Sequence, residues 1–313
     1  MPIVIGIDEA GYGPMLGPLV VASAAFDVPG DDPQADLWKL LHKSVRCTKR
    51  GNKAHLFVAD SKIVYDGGRG LCELERTILA FLAVRGKVHG TFRALLGDLC
   101  TETAALSRES WWRDIALPAL NTAEQVEAAA AVCAAGQADA PFLGLAAEVV
   151  NPGPFNELMD RHRNKSVLLF QQNVMLIERA MAQHPGDLHF IIDKHGGRHY
   201  YAGLLANNFF GAPVCPLGES PQSSSYEVRL RGRVLRFTFA EKADRRHLPA
   251  ALASMACKYV RELFMMGFNA YWCGRVDGLE PTAGYRNDCH RFITAIRPFI
   301  GPQNEREIIR ERG

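Results

Sequence analysis

Residues 3 to 26 constrain the fold more than any other part of the chain. They read IVIGIDEAGYGPMLGPLVVASAAF, in which two adjacent carboxylates and a glycine-rich stretch separate the apolar runs Ile3–Ile7 and Leu19–Phe26. Apolar runs of this length that are bounded by glycine and proline are typical of buried strands. The stretch therefore predicts a strand, a glycine-rich turn and a partner strand, with Asp8 and Glu9 at the end of the first strand.

The position of these two acids needs an explanation. Carboxylates at the end of a buried strand are costly unless something positive meets them. One interpretation is a divalent metal site, and the other is a pair of solvated turn acids. This stretch alone supports both.

Composition places the chain among ordinary globular proteins. Of its 313 residues, 48% are hydrophobic and 22% are charged, which allows a proper core in one large domain or two moderate ones. The net charge of +2 creates no global attraction to nucleic acid, although local patches could bind phosphate. No apolar stretch reaches the roughly 18 residues that span a bilayer, and no signal-like segment precedes the first strand. We therefore expect a cytoplasmic protein with no membrane partner.

The eight cysteines are scattered and include no C-x-x-C pair. A structural zinc site needs closely paired ligands, and a disulfide framework is typical of small secreted chains. We therefore expect free thiols.

Apolar runs alternate with helical patterns along the chain, which indicates an α/β fold. A second buried strand is expected to end at Asp193, and YEVRL and VLRFTFA predict a hairpin with its turn at residues 231–233. Helices are predicted from the spacing of apolar residues, and Thr122 or Asn121 could cap the Ala-rich one. The predicted helical segments are 37–45, 70–83, 95–140, 165–183, 244–266 and 286–299.

Two basic segments could contact phosphate. The segment KSVRCTKRGNK, residues 43–53, holds five basic residues and no acid, although a solvated turn explains it equally well. The predicted hairpin carries the second patch, formed by Arg229, Arg231, Arg233 and Arg236.

Four acids stand at the ends of predicted elements: Asp8, Glu9, Asp193 and Asp244. Strand ends collect at one edge of a sheet, so acids that are far apart in sequence can converge there. Carboxylates without His or Cys are the ligands that Mg²⁺ or Mn²⁺ prefers. Two such ions about 4 Å apart can activate a water and stabilise the leaving oxygen in phosphodiester hydrolysis. Composition alone does not select these four from the 34 acidic residues.

Five motifs, in the same order along the chain, resemble those of the type 2 ribonucleases H. DEAGYGPMLGPLVVA is similar to the family's opening motif, whose usual form is DEAG-Arg-G. The others are DSK at 60–62, the strand-end Asp193, D-x9-S-x3-K-x2-R from Asp244 to Arg261, and GY-x4-H from Gly284 to His290. The resemblance covers roughly residues 3–26, 54–65 and most of 165–297, whereas 66–164 matches poorly.

The resemblance implies one ribonuclease H-like domain over residues 1–313. Its expected fold is a mixed sheet flanked by helices, with a helical insertion at 66–164 and a helical C-terminal part at 245–313 that closes over the substrate. The implied activity is two-metal endonucleolytic hydrolysis of the RNA strand in RNA–DNA hybrids or ribonucleotide-containing duplexes. The implied cofactor is Mg²⁺ or Mn²⁺ and the implied partner is nucleic acid, and we expect a monomer.

The resemblance also assigns roles to residues. The four acids would be the catalytic residues and the metal ligands. Lys62 would contact the nucleic-acid backbone as a point charge, and Tyr285 would pack against the sugar beside the cleaved phosphate. Gly11 and Gly13 would let the backbone approach the 2′-hydroxyl that distinguishes RNA from DNA.

Tyr12 departs from the family, because it stands where the motif has Arg. Tyrosine keeps a ring and a hydroxyl but loses the charge that would face a phosphate. Tyr12 could bind substrate or could merely fill the turn. Two alternatives to the hybrid nuclease follow: a non-catalytic nucleic-acid-binding protein of the same fold, and a nuclease with an altered substrate such as single-stranded RNA or a DNA structure.

The segment HGGRH could suggest other chemistry. His195 and His199 could form a metal pair or an oxyanion loop, but we expect solvated loop histidines. An esterase would need a G-x-S-x-G elbow, which the sequence lacks, and GYGPMLG lacks the G-K-[ST] of a P-loop. Lys258 and Arg261 are expected to be structural or to contact the nucleic-acid backbone.

Overall fold

The computed structural model describes residues 3–30, 35–48, 55–65, 70–106, 109–301 and 304–311. Its strands are Ile3–Ala10 (β1), Leu19–Asp27 (β2), Val45–Arg46 (β3), Leu56–Phe57 (β4), Phe142–Val150 (β5), Leu188–Asp193 (β6), Val214–Glu219 (β7), Ser223–Leu230 (β8) and Arg233–Ala240 (β9). Its helices are Leu37–Leu40 (α1), Ser61–Tyr65 (α2), Gly70–Ala83 (α3), Phe92–Leu99 (α4), Ala123–Ala134 (α5), Pro152–His162 (α6), Lys165–Gln183 (α7), Ala202–Asn208 (α8), Leu248–Cys273 (α9), Arg286–Ile296 (α10) and Glu305–Ile308 (α11). Short 3₁₀ turns cover Ala243–Arg245 and Arg297–Phe299.

Seven of these strands form one mixed sheet, in the order β5-β2-β1-β6-β9-β8-β7. The central strands β1, β6 and β9 are parallel, and β2, β5, β8 and β7 add antiparallel neighbours on the two sides. Because parallel strands end at the same edge of a sheet, the residues that end β1, β6 and β9 are brought together. The mixed sheet between helices confirms the predicted fold class.

Both faces of the sheet are buried at β1, β2 and β6, whereas the edge strand β7 is largely exposed. Val4 belongs to the apolar cluster that contains α9, whereas Ile5 and Ile7 pack in the opposite cluster with α6 and α7. This alternation is the period of two that a strand imposes on its side chains. The first turn of α9 lies so close to β1 that a Cβ atom on Gly6 would be 2.1 Å from the backbone of Pro249 and Ala250. Gly6 is therefore required by this helix–strand contact.

Several predicted elements are confirmed. The helices at 70–83 and 165–183 have the predicted bounds, and β8 and β9 form the predicted hairpin around Arg231 and Gly232. Thr122 caps α5, and its side chain exchanges hydrogen bonds with Gln125 in a capping box. The eight cysteines are free thiols, as expected.

Other predictions were wrong in extent. The predicted helix at 95–140 is two helices, α4 and α5, with an irregular segment between them. The predicted helix at 37–45 ends at Leu40, and Val45 lies in a strand. The predicted helix at 244–266 begins at Leu248 instead, with Pro249 in its first turn, and continues to Cys273. Asp244 is therefore held by a separate 3₁₀ turn rather than by the helix itself.

The range 66–164 is not wholly helical. Residues 142–150 form β5, which pairs with β2 along its length and so belongs to the main sheet. The run FLGLAAEVV gives a weak strand signal, because Ala, Gly and Glu favour strands little and only its last two residues are β-branched. Its pairing with β2 decides its conformation.

The C-terminal segment returns to the glycine-rich turn. Ile309 forms an isolated bridge with Leu16, and Arg310 N–H donates to the Met15 carbonyl at 2.9 Å. The Asn156 side chain on α6 donates to the carbonyls of Arg306 and Ile309 at 2.9 and 2.8 Å. The sequence indicated only a charged tail in this region.

No helix in the described ranges is long and apolar enough to cross a bilayer.

Candidate functional site

The structure brings the four predicted acids to one edge of the sheet. Asp8 and Glu9 lie within β1, near its end. Asp193 is the last residue of β6 and lies one position beyond the pairing of Ile7 with Ile192. Asp244 lies in the 3₁₀ turn that follows β9. Ala243 N–H in this turn donates to Asp193 Oδ1 at 2.9 Å, which holds the turn against β6.

Burial raises the pKa of all four acids, and repulsion between carboxylates adds to this for Asp8, Glu9 and Asp244. Asp8 is 7% exposed, and burial, then Glu9 and Asp193, hold its pKa well above the usual range. Burial and then Asp193 raise the pKa of Glu9 to about 8. Burial, followed by Asp60 and Asp193, raises the pKa of Asp244 to about 6. Burial also raises the pKa of Asp193, against the lowering effect of backbone N–H donors. If all four acids were ionised, the cluster would carry more negative charge than the neighbouring donors and cations of the protein offset.

Lys62 is the predicted substrate residue that faces this cluster. Its charge lowers the pKa of Glu9, Asp193 and Asp244, so its ammonium lies within electrostatic reach of each of them. The residue is exposed at the start of α2, where a negatively charged ligand can also reach it.

Asp60 has a role that the sequence interpretation missed. It is 3% exposed, accepts Lys62 N–H at 2.9 Å, and pairs with Arg245 at 2.9 Å. Asp60 thus caps the helix that carries Lys62 and ties that helix to the turn that carries Asp244. The signal was available, since an aspartate before S-K-I-V-Y is a typical N-cap.

Helix α9 supports Asp8 from below the sheet. Cys257 Sγ donates to the Asp8 carbonyl at 3.0 Å. The Ser254 hydroxyl donates to Ser61 Oγ at 3.0 Å, and it lies close enough to the Asp8 carboxylate to lower its pKa against the effect of burial. The serine of the D-x9-S-x3-K-x2-R motif therefore acts on the first acid of the cluster.

The two predicted substrate-binding glycines differ in what the fold requires of them. Gly11 has φ +84°, and a Cβ there would lie 2.4 Å from the Pro18 carbonyl oxygen, so the turn itself needs glycine. Gly13 is exposed, its φ lies outside the left-handed region, and nothing lies within 4 Å of a Cβ placed there. The fold does not require glycine at position 13.

Tyr285 lies beside the glycine-rich turn, although about 270 residues separate them in sequence. The Gly284 carbonyl accepts from Met15 N–H at 2.9 Å and Leu16 N–H at 3.3 Å. Arg261 is 1% exposed and donates to the carbonyls of Leu16 and Ala283 at 3.2 and 3.0 Å, which joins the two segments. The Tyr285 side chain remains 48% exposed on the surface of the site.

Arg310 was not foreseen as part of the site. Its guanidinium is fully buried, donates to the carbonyls of Gly11 and Gly17, and lies 4.5 Å from the Phe155 ring centroid. It therefore fixes both ends of the glycine-rich turn. No sequence motif marks it, because its partners lie about 300 residues away.

Tyr12 is half-buried between the acid cluster and two cations. Burial and then Glu9 raise the pKa of its hydroxyl, whereas Arg198 lowers it. Lys165 Nζ lies 4.7 Å from the centroid of its ring.

The expectation of solvated histidines in HGGRH is wrong for His195. This residue is 2% exposed, its Nε2 lies 2.7 Å from Asn173 Nδ2, and burial lowers its pKa to about 3. His195 is therefore a neutral, packed residue, whereas His199 is exposed as expected.

Most of the hairpin basic patch is used within the protein. Arg233 donates to the carbonyls of Met181, His184 and Gly186 and so closes the C-terminal end of α7. Arg229 and Arg236 both pair with Glu227, at 3.0 and 3.6 Å. In the other basic segment Lys43 pairs with Asp139 at 3.1 Å, and residues 49–53 lie outside the described ranges.

Comparison with known proteins gives partial sequence similarity and a similar overall fold. Ribonuclease HII of Gluconobacter oxydans (strain 621H) is 34% identical over 110 residues, which are 33% of this chain and 48% of that relative. The solved structure of ribonuclease H2 from Pyrococcus horikoshii OT3 overlays with a TM-score of 0.50 at 14% identity, covering 98% of this chain and 92% of that one. The chain is therefore similar to a ribonuclease HII over part of its sequence and similar in fold to a ribonuclease H2.

The sequence similarity is limited in extent. The match spans about half the length of the curated relative, and no family model matches the chain. A ribonuclease HII from Archaeoglobus fulgidus, solved in a complex with PCNA, gives 15% identity and a TM-score of 0.46 over 99% of this chain and 94% of that chain.

The donor set of the acid cluster fits a hard divalent cation. Among the described residues, no group of three or more His, Cys, Asp or Glu is already arranged around a possible ion position. The cluster nevertheless offers only carboxylate oxygens, and burial makes each of its acids hard to ionise without a cation. Mg²⁺ and Mn²⁺ prefer this chemistry over His- or Cys-rich sites.

Proposed function

We propose that the chain is a metal-dependent endoribonuclease that hydrolyses the RNA strand of RNA–DNA hybrids or ribonucleotide-containing duplexes. One observation carries the proposal: Asp8, Glu9, Asp193 and Asp244 lie together at one sheet edge, where burial raises the pKa of each carboxyl. The relation to the type 2 ribonucleases H supports the choice of reaction and substrate class.

Asp8, Glu9, Asp193 and Asp244 would hold Mg²⁺ or Mn²⁺, as in a two-metal mechanism. When bound, the cations would supply an activated water and a stabilised leaving oxygen for phosphodiester hydrolysis. Glu9, whose pKa is about 8, retains a proton at neutral pH without metal. A cation held by Glu9 would require the ionised carboxylate, so metal affinity should rise with pH.

The other chain residues would bind and orient the substrate. Exposed Lys62 would hold a backbone phosphate near the acids as a point charge, which offsets the repulsion between carboxylates and phosphates. The half-exposed Tyr285 ring would pack against the neighbouring sugar. Gly13, with open space on its surface, would let the backbone approach the 2′-hydroxyl, and Gly11 would keep the turn in its shape.

Two alternatives stay open beside this proposal. A non-catalytic binding protein of the same fold would keep the nucleic-acid surface without turnover. A nuclease of altered substrate is favoured by Tyr12, which carries no charge where the family motif has Arg. The monomeric state and the cytoplasmic location stay predictions.

A cleavage assay separates these functions. The substrates are an RNA–DNA hybrid, a duplex with one embedded ribonucleotide, an all-DNA duplex and single-stranded RNA, each with Mg²⁺ or Mn²⁺. We expect cleavage of the RNA–DNA hybrid, or of both the hybrid and the duplex with one embedded ribonucleotide, with 3′-hydroxyl products. Asp8→Asn should abolish it, whereas the control Asp139→Asn, at a surface acid that pairs with Lys43, should not.

Each contrary result has a distinct meaning. Binding of the hybrid without cleavage would favour the non-catalytic alternative. Equal cleavage of all-DNA duplex would contradict recognition of the 2′-hydroxyl. Full activity of Asp8→Asn would contradict the role of the acid cluster.

A further inference from the structure

A groove adjoins Tyr12 on the side where β6 and α7 meet. It has a volume of about 510 Å³ and is lined by Tyr12, by residues 164–166 at the start of α7, and by the loop 195–200 that follows β6. Because Glu9 acts electrostatically on Tyr12, the groove lies next to the acid cluster. None of the five family motifs includes its two cations, Lys165 and Arg198.

Lys165 provides the first unneutralised cation of this groove. Its Nζ lies 4.7 Å from the Tyr12 ring centroid and 5.7 Å from that of Phe155. No carboxylate in the described part of the chain pairs with it. The charges that act on it are those of Arg310 and Arg286, which, after burial, lower its pKa to about 8. Two aromatic faces therefore hold an ammonium group among like charges, where an anion would be favourable.

Arg198 provides the second cation. Its Nε donates to Ser166 Oγ at 2.7 Å, which orients the guanidinium over the start of α7. Among the residues that the structure describes, no carboxylate pairs with it, and its terminal nitrogens have no hydrogen-bond acceptor. Their planar fork suits the oxygens of a phosphate.

The first turn of α7 adds positive electrostatic potential, although several of its N–H donors already have acceptors within the helix start. Asn164 Oδ1 already accepts from Ser166 N–H and Val167 N–H, at 3.0 and 3.2 Å. The positive end of the helix dipole favours an anion there, but the hydrogen bonds to that anion must come from Lys165 and Arg198.

We propose that Lys165 and Arg198 form a phosphate subsite for the nucleic-acid backbone. Together they would supply, from α7 and the loop after β6, the positive charge that Tyr12 lacks at the motif position. The subsite rests on the proposed function, because it specifies the substrate more closely as a duplex whose backbone passes beside Tyr12.

The test measures binding separately from catalysis. The wild-type protein, Lys165→Gln, Arg198→Gln and the control Arg161→Gln bind a fluorescent RNA–DNA hybrid or an all-DNA duplex in EDTA over a range of salt concentrations. Arg161 is an exposed cation on α6 that pairs with Glu157. Each neutralised phosphate contributes about 0.9 to the slope of log K against log salt.

The subsite predicts equal losses on both duplexes. Lys165→Gln and Arg198→Gln should each reduce the slope by about one and weaken binding roughly fivefold to tenfold near 0.1 M salt, because phosphate contacts carry no sequence information. Arg161→Gln should change neither quantity. Adding Tyr12→Arg to Lys165→Gln should restore the slope, which a variant that is merely misfolded would not do.

The outcomes separate this inference from the proposed function. Wild-type slopes in both variants, the same loss in Arg161→Gln, or no duplex binding by the wild-type protein would each overturn the subsite. Reduced slopes in a protein that cleaves no substrate would support the subsite and overturn the nuclease proposal. Metal-dependent cleavage with unchanged slopes would overturn the subsite alone.

Discussion

Replacing Glu9 by glutamine should stabilise the metal-free protein while it removes the proposed activity. The folded protein holds Glu9 with a pKa of about 8, against an ordinary value of 4.5. The unfolded chain therefore loses this proton first as the pH rises, and the free energy of unfolding falls between these two values. Above about pH 8 the folded protein bears the full free-energy cost of ionised Glu9. Below the ordinary pKa of the carboxyl this cost vanishes.

The size of the effect follows from the difference in pKa. One pKa unit corresponds to about 1.4 kcal/mol, so the cost of ionised Glu9 is on the order of 5 kcal/mol. The repulsion between Glu9 and Asp193 is shared by the two acids, and Lys62 opposes it. We therefore expect Glu9→Gln to gain about 2 to 4 kcal/mol in the free energy of unfolding. In a chain of this size that gain raises the melting temperature by roughly 3 to 6 °C.

Thermal melts in EDTA measure this effect directly. At about pH 9 Glu9→Gln should melt above the wild-type protein, and near pH 5 the two curves should approach each other. Mg²⁺ or Mn²⁺ should raise the melting temperature of the wild-type protein and raise that of the variant much less. Glu127→Gln, at an exposed position on α5, serves as the control. It should change neither the melting temperature at about pH 9 nor its rise with metal. A variant that melts at or below the wild-type temperature at about pH 9 would refute the repulsion argument.

Three further predictions concern the turn and its surroundings. Arg310→Ala should lower the free energy of unfolding by about 3 kcal/mol, because it leaves buried carbonyls unpaired. It should also raise KM, and an unchanged melting temperature and KM would contradict its role in holding the turn. Gly6→Ala should prevent folding or lower the melting temperature sharply, since its Cβ would meet the α9 backbone, whereas Gly13→Ala should melt normally and lose cleavage of ribonucleotide substrates. Lys62→Gln should raise KM roughly tenfold for every cleaved substrate, and a loss confined to one substrate would argue against a phosphate contact.

The sequence by itself determined the elements that local pattern specifies. The apolar runs around Asp8 and Glu9 predicted β1, the turn and β2, and apolar spacing predicted α3 and α7. The acids were identifiable as candidates because their positions at element ends follow from the same pattern and from the family motifs. These features depend on residues close together in the chain, so no tertiary contact was needed to infer them.

Only the tertiary structure decided which distant residues meet. The weak strand run 142–150 becomes part of the sheet by pairing with β2, and Arg310 reaches the turn from the far end of the chain. Lys165 and Arg198 flank Tyr12 because α7 and the end of β6 meet beside the glycine-rich turn. Burial and charge separation, which set the raised pKa values of the acids, depend on distances in space and cannot be read from spacing along the sequence. For the same reason, the convergence of Asp8 and Glu9 with Asp193 and Asp244 could be expected from the strand ends but was fixed only by the parallel alignment of β1, β6 and β9.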